Sequence, residues 1–246
     1  MNKLSFVLFL ALCFSRLQGQ TNEPYEFSAY KKQAATPVKS QDQTGTCWAF
    51  STASFLESEA LRLGKEETNL SEMFVVRNIY RLKCENYVRR QGTAQFGEGG
   101  LAHDMLFAVK KFGIIPESVY PGRKDPSRPL NHSQLEKSLK EKCVAFAQQG
   151  KEGKLDPKWI AEIDALLDAE FGPVPATFSY NNVVYNPLSF RDYLNIRPDD
   201  YVTITSFTHH PFWEKFILEI PDNWSNGEFY NLPLDDMMRA AAAALD

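Results

Sequence analysis

Between Trp48 and Gly172 the apolar residues return at helical spacing five times over, and beyond Gly172 that rhythm stops. No other feature of the chain restricts its fold as tightly. Trp48, Phe55, Leu56, Ala60 and Leu63 share one helix face, and Gly64 reads as the stop. Asn69-Leu-Ser-Glu72 has the form of a capping box opening a second helix, striped by Met73, Val76, Tyr80, Cys84 and Tyr87. A third helix runs over Leu101–Phe112 and ends at Gly113. Ser133-x-x-Glu136 opens a fourth, with Leu135, Leu139, Cys143 and Phe146 on its stripe. Asp156-Pro157 opens a fifth, carrying Trp159, Ile163, Leu166 and Leu167. Downstream, Pro173, Pro175, Pro187 and Pro198 punctuate shorter runs. Tyr201–Phe207 alternates and is β-branched, so it predicts a strand, and Phe216–Ile220 predicts another. Leu234–Leu245 reads as helix. The fold class predicted is α+β: an α-rich part to about residue 172, then a mixed or β-rich part.

The N-terminus has its own logic. One lysine, Lys3, precedes the nearly unbroken apolar run Leu4–Phe14, far short of the ~20 residues a bilayer requires. That is the pattern of a secretory signal over residues 1–20 and predicts export, to the periplasm or outside the cell. Cys13 inside it leaves lipidation as an alternative to an ordinary signal cysteine. After signal removal no membrane association is expected. The 246 residues are 43% hydrophobic with a net charge of −4, which argues against disorder and against a general nucleic-acid binder.

Without Cys13, three cysteines remain: Cys47, Cys84 and Cys143. An odd number in an exported chain flags a free thiol. Cys47 stands at the first turn of the first predicted helix, where unsatisfied N–H groups and the helix dipole favour a thiolate and can receive an oxyanion. The competing reading is a small buried cysteine.

The surrounding sequence decides between them. Gln41-Asp-Gln-Thr-Gly-Thr-Cys47-Trp48-Ala49-Phe50 resembles the active-site segment of papain-like cysteine peptidases. Asn69-Leu-Ser-Glu72 is similar to the start of that family's second helix, Gly97-Glu-Gly-Gly100 to its glycine segment, and Phe112-Gly-Ile114 through Tyr120-Pro121 to a further stretch. The order and spacing agree over residues 38–121. The resemblance implies a papain-like fold, Cys47 as nucleophile and Gln41 as oxyanion donor, Gln43 competing only if the register is misread. It also implies that Gly99 and Gly100 hold the substrate strand, with Trp48 beside them. Glycines suit a rail that a peptide must approach closely. The substrates implied are peptides; no cofactor and no metal are implied.

Departures from papain refine the picture. Thr44 stands where papain has a disulfide cysteine, as in the bleomycin hydrolase and aminopeptidase C branch, and Thr205–Phe212 and Pro221–Trp224 look like that branch too. The resemblance then divides the chain into a helical left domain (21–128), a helical insertion (129–172) and the start of an incomplete β-rich right half (173–246). Cys84 and Cys143 are expected as buried thiols rather than a bridge. The family's histidine and asparagine are expected beyond residue 246. His103 and His132 read as structural or solvated. His209 lies near papain's spacing but lacks the downstream N-S-W-G segment, so it is not taken as the base. His209 and His210, adjacent on a strand end, would point to opposite sides and share no metal. The branch acts as an aminopeptidase and forms hexamers; for a chain lacking its last part both stay open, as does a non-catalytic domain that only binds peptides.

Overall fold

The computed structural model describes residues 25–29 and 32–245; the predicted signal segment lies outside them. The chain divides into two units, Met1–Lys32 and Gln33–Asp246, and every helix and strand among the described residues belongs to the second.

Five helices build its larger part: α1 (Cys47–Arg62), α2 (Glu72–Arg89), α3 (Ala102–Phe112), α4 (Ser133–Lys151) and α5 (Trp159–Phe171). All five stand where the apolar periodicity predicts them. α2 is the hub, packed by α1, α3, α4 and α5. It is buried nearly all round, with Val75, Val76, Ile79 and Cys84 fully inaccessible. A helix so enclosed cannot be amphipathic in the usual sense, and its charged residues must find partners. Arg77 pairs with Asp168 at 2.5 Å and Arg81 with Asp164 at 2.8 Å, tying α2 to α5. Leu135, Leu139, Cys143 and Phe146 of α4 and Ile163 and Leu167 of α5 complete the core, as their stripes required. α3 and α5 end at Gly113 and Gly172, both at positive φ (82° and 86°), where a side chain would be strained.

The helix starts correct the sequence reading in three places, the first being α5, which begins at Trp159 with Asp156 and Pro157 in the turn before it, Asp156 accepting the Lys158 N–H at 2.7 Å. Ser71, not Asn69, caps α2: its hydroxyl accepts the Phe74 N–H at 3.0 Å. Asn69 instead bonds Lys39 and Glu117. Ser133 is the first residue of α4, and Asn131 accepts its N–H at 3.1 Å.

The rest is short elements. β1 (Phe178–Tyr180) and β2 (Val183–Tyr185) form a hairpin through Asn181-Asn182, both at positive φ (49° and 62°). α6 (Pro187–Tyr193) comes next, capped by Asn186. A single 3₁₀ turn spans Pro198–Asp200. β3 (Ile204–Thr205), β4 (Lys215–Ile217) and β5 (Glu228–Asn231) form a sheet of order β3-β5-β4, with β5 parallel to β3 and antiparallel to β4. α7 (Leu234–Ala243) closes the described chain. The predicted strands over 201–207 and 216–220 are thus two and three residues long, at 204–205 and 215–217. The central strand β5 has no counterpart in the sequence reading, since Glu228-Phe-Tyr-Asn231 is too short to show a period. Among the described residues no helix is long and apolar enough to cross a membrane.

Candidate active site

The turn that presents Cys47 is built by threonines. Thr44 and Thr46 are buried and their hydroxyls lie 2.6 Å apart, while Thr44 Oγ1 also donates to the Gln41 carbonyl at 2.8 Å. The turn is anchored from outside by Gln43, whose N–H donates to the Leu130 carbonyl at 3.0 Å, and by Asp42, whose carboxylate accepts the Leu130 N–H at 2.9 Å. Cys47 then opens α1 with its side chain exposed. One and two turns on, Ser51 and Phe55 lie on the same face, also exposed. That face continues into a cleft of about 550 Å³ lined by Phe55, Leu106, Val202 and Ile204.

Gln41 sits in the same turn. Its side-chain amide donates to the Thr44 carbonyl, which uses one of its two N–H bonds; among the described residues the second has no hydrogen-bond partner. Gln43 is engaged elsewhere: its amide oxygen accepts from Asn131 at 3.0 Å. Cys84 and Cys143 are fully buried and unbridged, and burial pushes the Cys84 thiol well up.

Gly97–Gly100 runs alongside the turn, and Glu98 joins the two. The Glu98 carboxylate accepts the Gly45 N–H at 2.6 Å, and its carbonyl accepts the Trp48 indole N–H at 3.1 Å. Trp48 is therefore a floor for this segment, 4% exposed, with its ring against Gly100. Its indole faces the protein rather than solvent, so any contact with a substrate would be made through its backbone. A β-carbon on Gly100 would lie 3.0 Å from the Trp48 ring and from Asp104 Oδ2, and one on Gly99 would lie 2.7 Å from Asp222 Oδ1. At Gly100 the protein's own packing against the Trp48 ring already favours glycine, before any substrate is considered, whereas at Gly99 the Asp222 side chain could swing aside.

Two groups at this segment escape the sequence reading. Lys83 of α2 is 3% exposed and donates to the carbonyls of Gly97 (2.8 Å) and Gly99. Burial lowers its pKa to about 8 against the pull of the surrounding carboxylates. A signal was available: Val76, Tyr80, Lys83 and Tyr87 fall on one stripe, so a lysine there had to be buried. Asp222 lies in the Pro221–Trp224 segment singled out by resemblance, but nothing in its spacing links it to Gly99, which it reaches only because residues 221–227 fold back over the helices. Asn223 organises that loop through bonds to the Leu218 and Gly227 carbonyls, both at 2.9 Å.

The histidines lie elsewhere. His103 Nε2 is 3.2 Å from Ser225 Oγ, which donates to Asp104 at 3.1 Å. His132 is buried with Nδ1 3.1 Å from the Tyr80 hydroxyl, and burial lowers its pKa to about 4, keeping it neutral. His209 and His210 do not diverge as predicted. They stand in the turn after β3, not on a strand, with ring centroids 4.5 Å apart and His210 stacked on Phe216. Among the described residues no hydrogen bond joins Cys47 to an imidazole, and no group of three or more His, Cys, Asp or Glu could hold a metal.

Known proteins point the same way. Residues 23–194 match the model of the papain family cysteine protease. Aminopeptidase G of Lactobacillus delbrueckii subsp. lactis is 26% identical over 85% of this chain and 56% of its own length. Cysteine proteinase 1 of Dictyostelium discoideum is 33% identical over 40% of this chain and 28% of its own. The crystal structure of PepW from Lactobacillus rhamnosis superposes with a TM-score of 0.67 at 21% identity, over 91% of this chain and 58% of that one, and so shares the fold. The chain thus spans little more than half the length of the relatives it matches along most of its residues. It belongs to the papain family of cysteine proteases, and the aminopeptidase match running along most of it sets it with the bleomycin hydrolase and aminopeptidase C branch.

Proposed function

We propose that this chain carries the nucleophile half of a thiol-dependent peptide hydrolysis of aminopeptidase type. The observation that supports it is the exposed Cys47 at the start of α1, with Gln41 in the same turn and the Gly97–Gly100 segment alongside. In this reading the Cys47 thiolate attacks the scissile carbonyl carbon. The oxyanion is received by the Cys47 N–H and the second Gln41 amide N–H. Collapse of the adduct expels the amine, which needs a proton, and water then releases the acyl group from sulfur. The proton donor is an imidazole oriented by an asparagine. We assign both to polypeptide beyond the described residues, because no imidazole here is hydrogen-bonded to Cys47 and the matched relatives are nearly twice as long. The N-terminal apolar run supports action outside the cytoplasm.

That same lack of an imidazole partner favours a second reading, a domain that binds peptides without cleaving them. Aminoacyl arylamide hydrolysis by this chain together with the polypeptide that supplies the imidazole and asparagine, with Cys47→Ser as control, separates the two. Turnover lost in Cys47→Ser supports the peptidase. No turnover, with dipeptides still protecting Cys47 from iodoacetamide, supports the binder. Modification of Cys47 no faster than that of a small free thiol would refute the nucleophile assignment.

A further inference from the structure

The glycine segment has no covalent tie to the rest of the fold: all three described cysteines are free. Something else must hold four residues, three of them glycine, in one conformation, because glycine has the most backbone freedom to lose. The polar contacts show what does so. Lys83 projects from the buried side of α2 and donates to two carbonyls of the segment, Gly97 and Gly99. Its ammonium also stands over the Trp224 ring at 5.9 Å. On the other side, Glu98 binds the Gly45 N–H of the nucleophile turn. The segment is thus gripped from the core by the Lys83 cation and reaches the Cys47 turn through its own Glu98 carboxylate.

We infer that Lys83 is a positioning residue that holds the Gly97–Gly100 rail in the conformation a peptide needs beside Cys47. This deepens the peptidase reading and rests on it. A buried lysine is a costly choice for a helix hub, since an apolar residue would pack there without desolvating a charge. Two aligned carbonyl acceptors account for its presence. Carbonyls drawn inward leave the rail's remaining backbone groups available to a substrate strand. The charged groups facing Lys83 are Asp104 from α3, Asp222 from the 221–227 loop, Glu136 from α4 and Glu98 from the rail itself. All four are acidic, and they keep the ammonium form in a site whose burial opposes it. A neutral amine loses one N–H and the charge that strengthens the others.

The test compares two alkylating agents on Cys47. Iodoacetamide needs only the thiolate; a dipeptidyl chloromethyl ketone must also lie on the rail. The ratio of their rates cancels any change in the thiolate. In Lys83→Met the ratio falls about tenfold or more, the loss expected for charge-assisted hydrogen bonds, while iodoacetamide reacts as before. Lys83→Arg, which keeps donors, recovers part of it. The unmodified protein supplies a measurement that needs no variant: the ratio falls as pH rises through about 8, where Lys83 loses its proton. A ratio flat from pH about 6.5 to about 9.5, or preserved in folded Lys83→Met, overturns the inference and leaves the nucleophile reading standing. No preference for the peptidyl agent at any pH overturns the rail and Lys83's role together. Failure of Cys47 to outpace a free thiol with iodoacetamide refutes the nucleophile reading separately.

Discussion

Replacing Glu72 with glutamine should change how stability depends on pH more than it changes stability itself. Glu72 opens α2 and is 4% exposed; its carboxylate pairs with Lys39, which also holds Glu57 at 3.0 Å. Glu57 is 2% exposed, accepts the Leu70 N–H at 2.7 Å and receives the Thr36 hydroxyl. Two buried carboxylates therefore share one cation. Burial dominates at Glu72 and, with the Glu57 charge, outweighs Lys39, raising its pKa from 4.5 to about 7. The folded state then binds a proton that the unfolded state has released, so stability declines with rising pH between 4.5 and about 7. The contribution is fully present below the lower value and lost above the upper one. At ~1.4 kcal/mol per pH unit this amounts to about 3 kcal/mol. Lys39 titrates above its usual 10.5, outside the window. Glutamine keeps the shape and cannot ionise. Urea unfolding followed by tryptophan fluorescence at pH 5 and pH 8 measures both proteins. Glu72→Gln gains about 2.5 kcal/mol relative to the native sequence over that interval, nearly independent of salt because the pair is buried. Parallel stability curves would refute the reasoning and mean that Lys39 keeps Glu72 ionised throughout.

Three further predictions rest on other parts of the molecule. Leu139→Ala, at a fully buried position of α4, should destabilise by about 2–5 kcal/mol in the same urea assay, with no change in Cys47 alkylation. Gly100→Ala places a methyl 3.0 Å from the Trp48 ring and should cost about 1–3 kcal/mol while slowing the peptidyl agent more than iodoacetamide. Of Cys47, Cys84 and Cys143, iodoacetamide should modify only Cys47 in the native protein and all three in urea, as peptide mass mapping would show; early modification of Cys84 or Cys143 would contradict their complete burial.

Much of the helical part can be read from residue order, because helix faces are a local property. Leu135, Leu139, Cys143 and Phe146 announce a buried stripe whatever they pack against. Cys47 is legible for a similar reason: a helix start is local, and the flanking residues carry the family's motif. The sheet is not, because β5 receives its partners from β3 and β4, more than ten residues away, and its four residues show no period. The Asn181-Asn182 turn and the Asn186-Pro187 helix start stand in the residue order as conventional signals, and apolar periodicity alone passes over both.

What the sequence determined by itself, then, is where each helix forms, which face it buries, and which thiol stands at a helix start. Only the tertiary structure decided which charges meet. Lys39 lies 18 residues from Glu57 and 33 from Glu72, and Lys83 lies 14 and 16 residues from the carbonyls it holds, distances over which spacing along the chain implies no contact. The family resemblance makes Trp48 a substrate contact, and the fold makes its ring the floor beneath Gly100. Periodicity is dictated by backbone geometry within a few residues. Ion pairs and close approaches depend on how finished elements dock, and a buried lysine finds its partners only once α2 is enclosed.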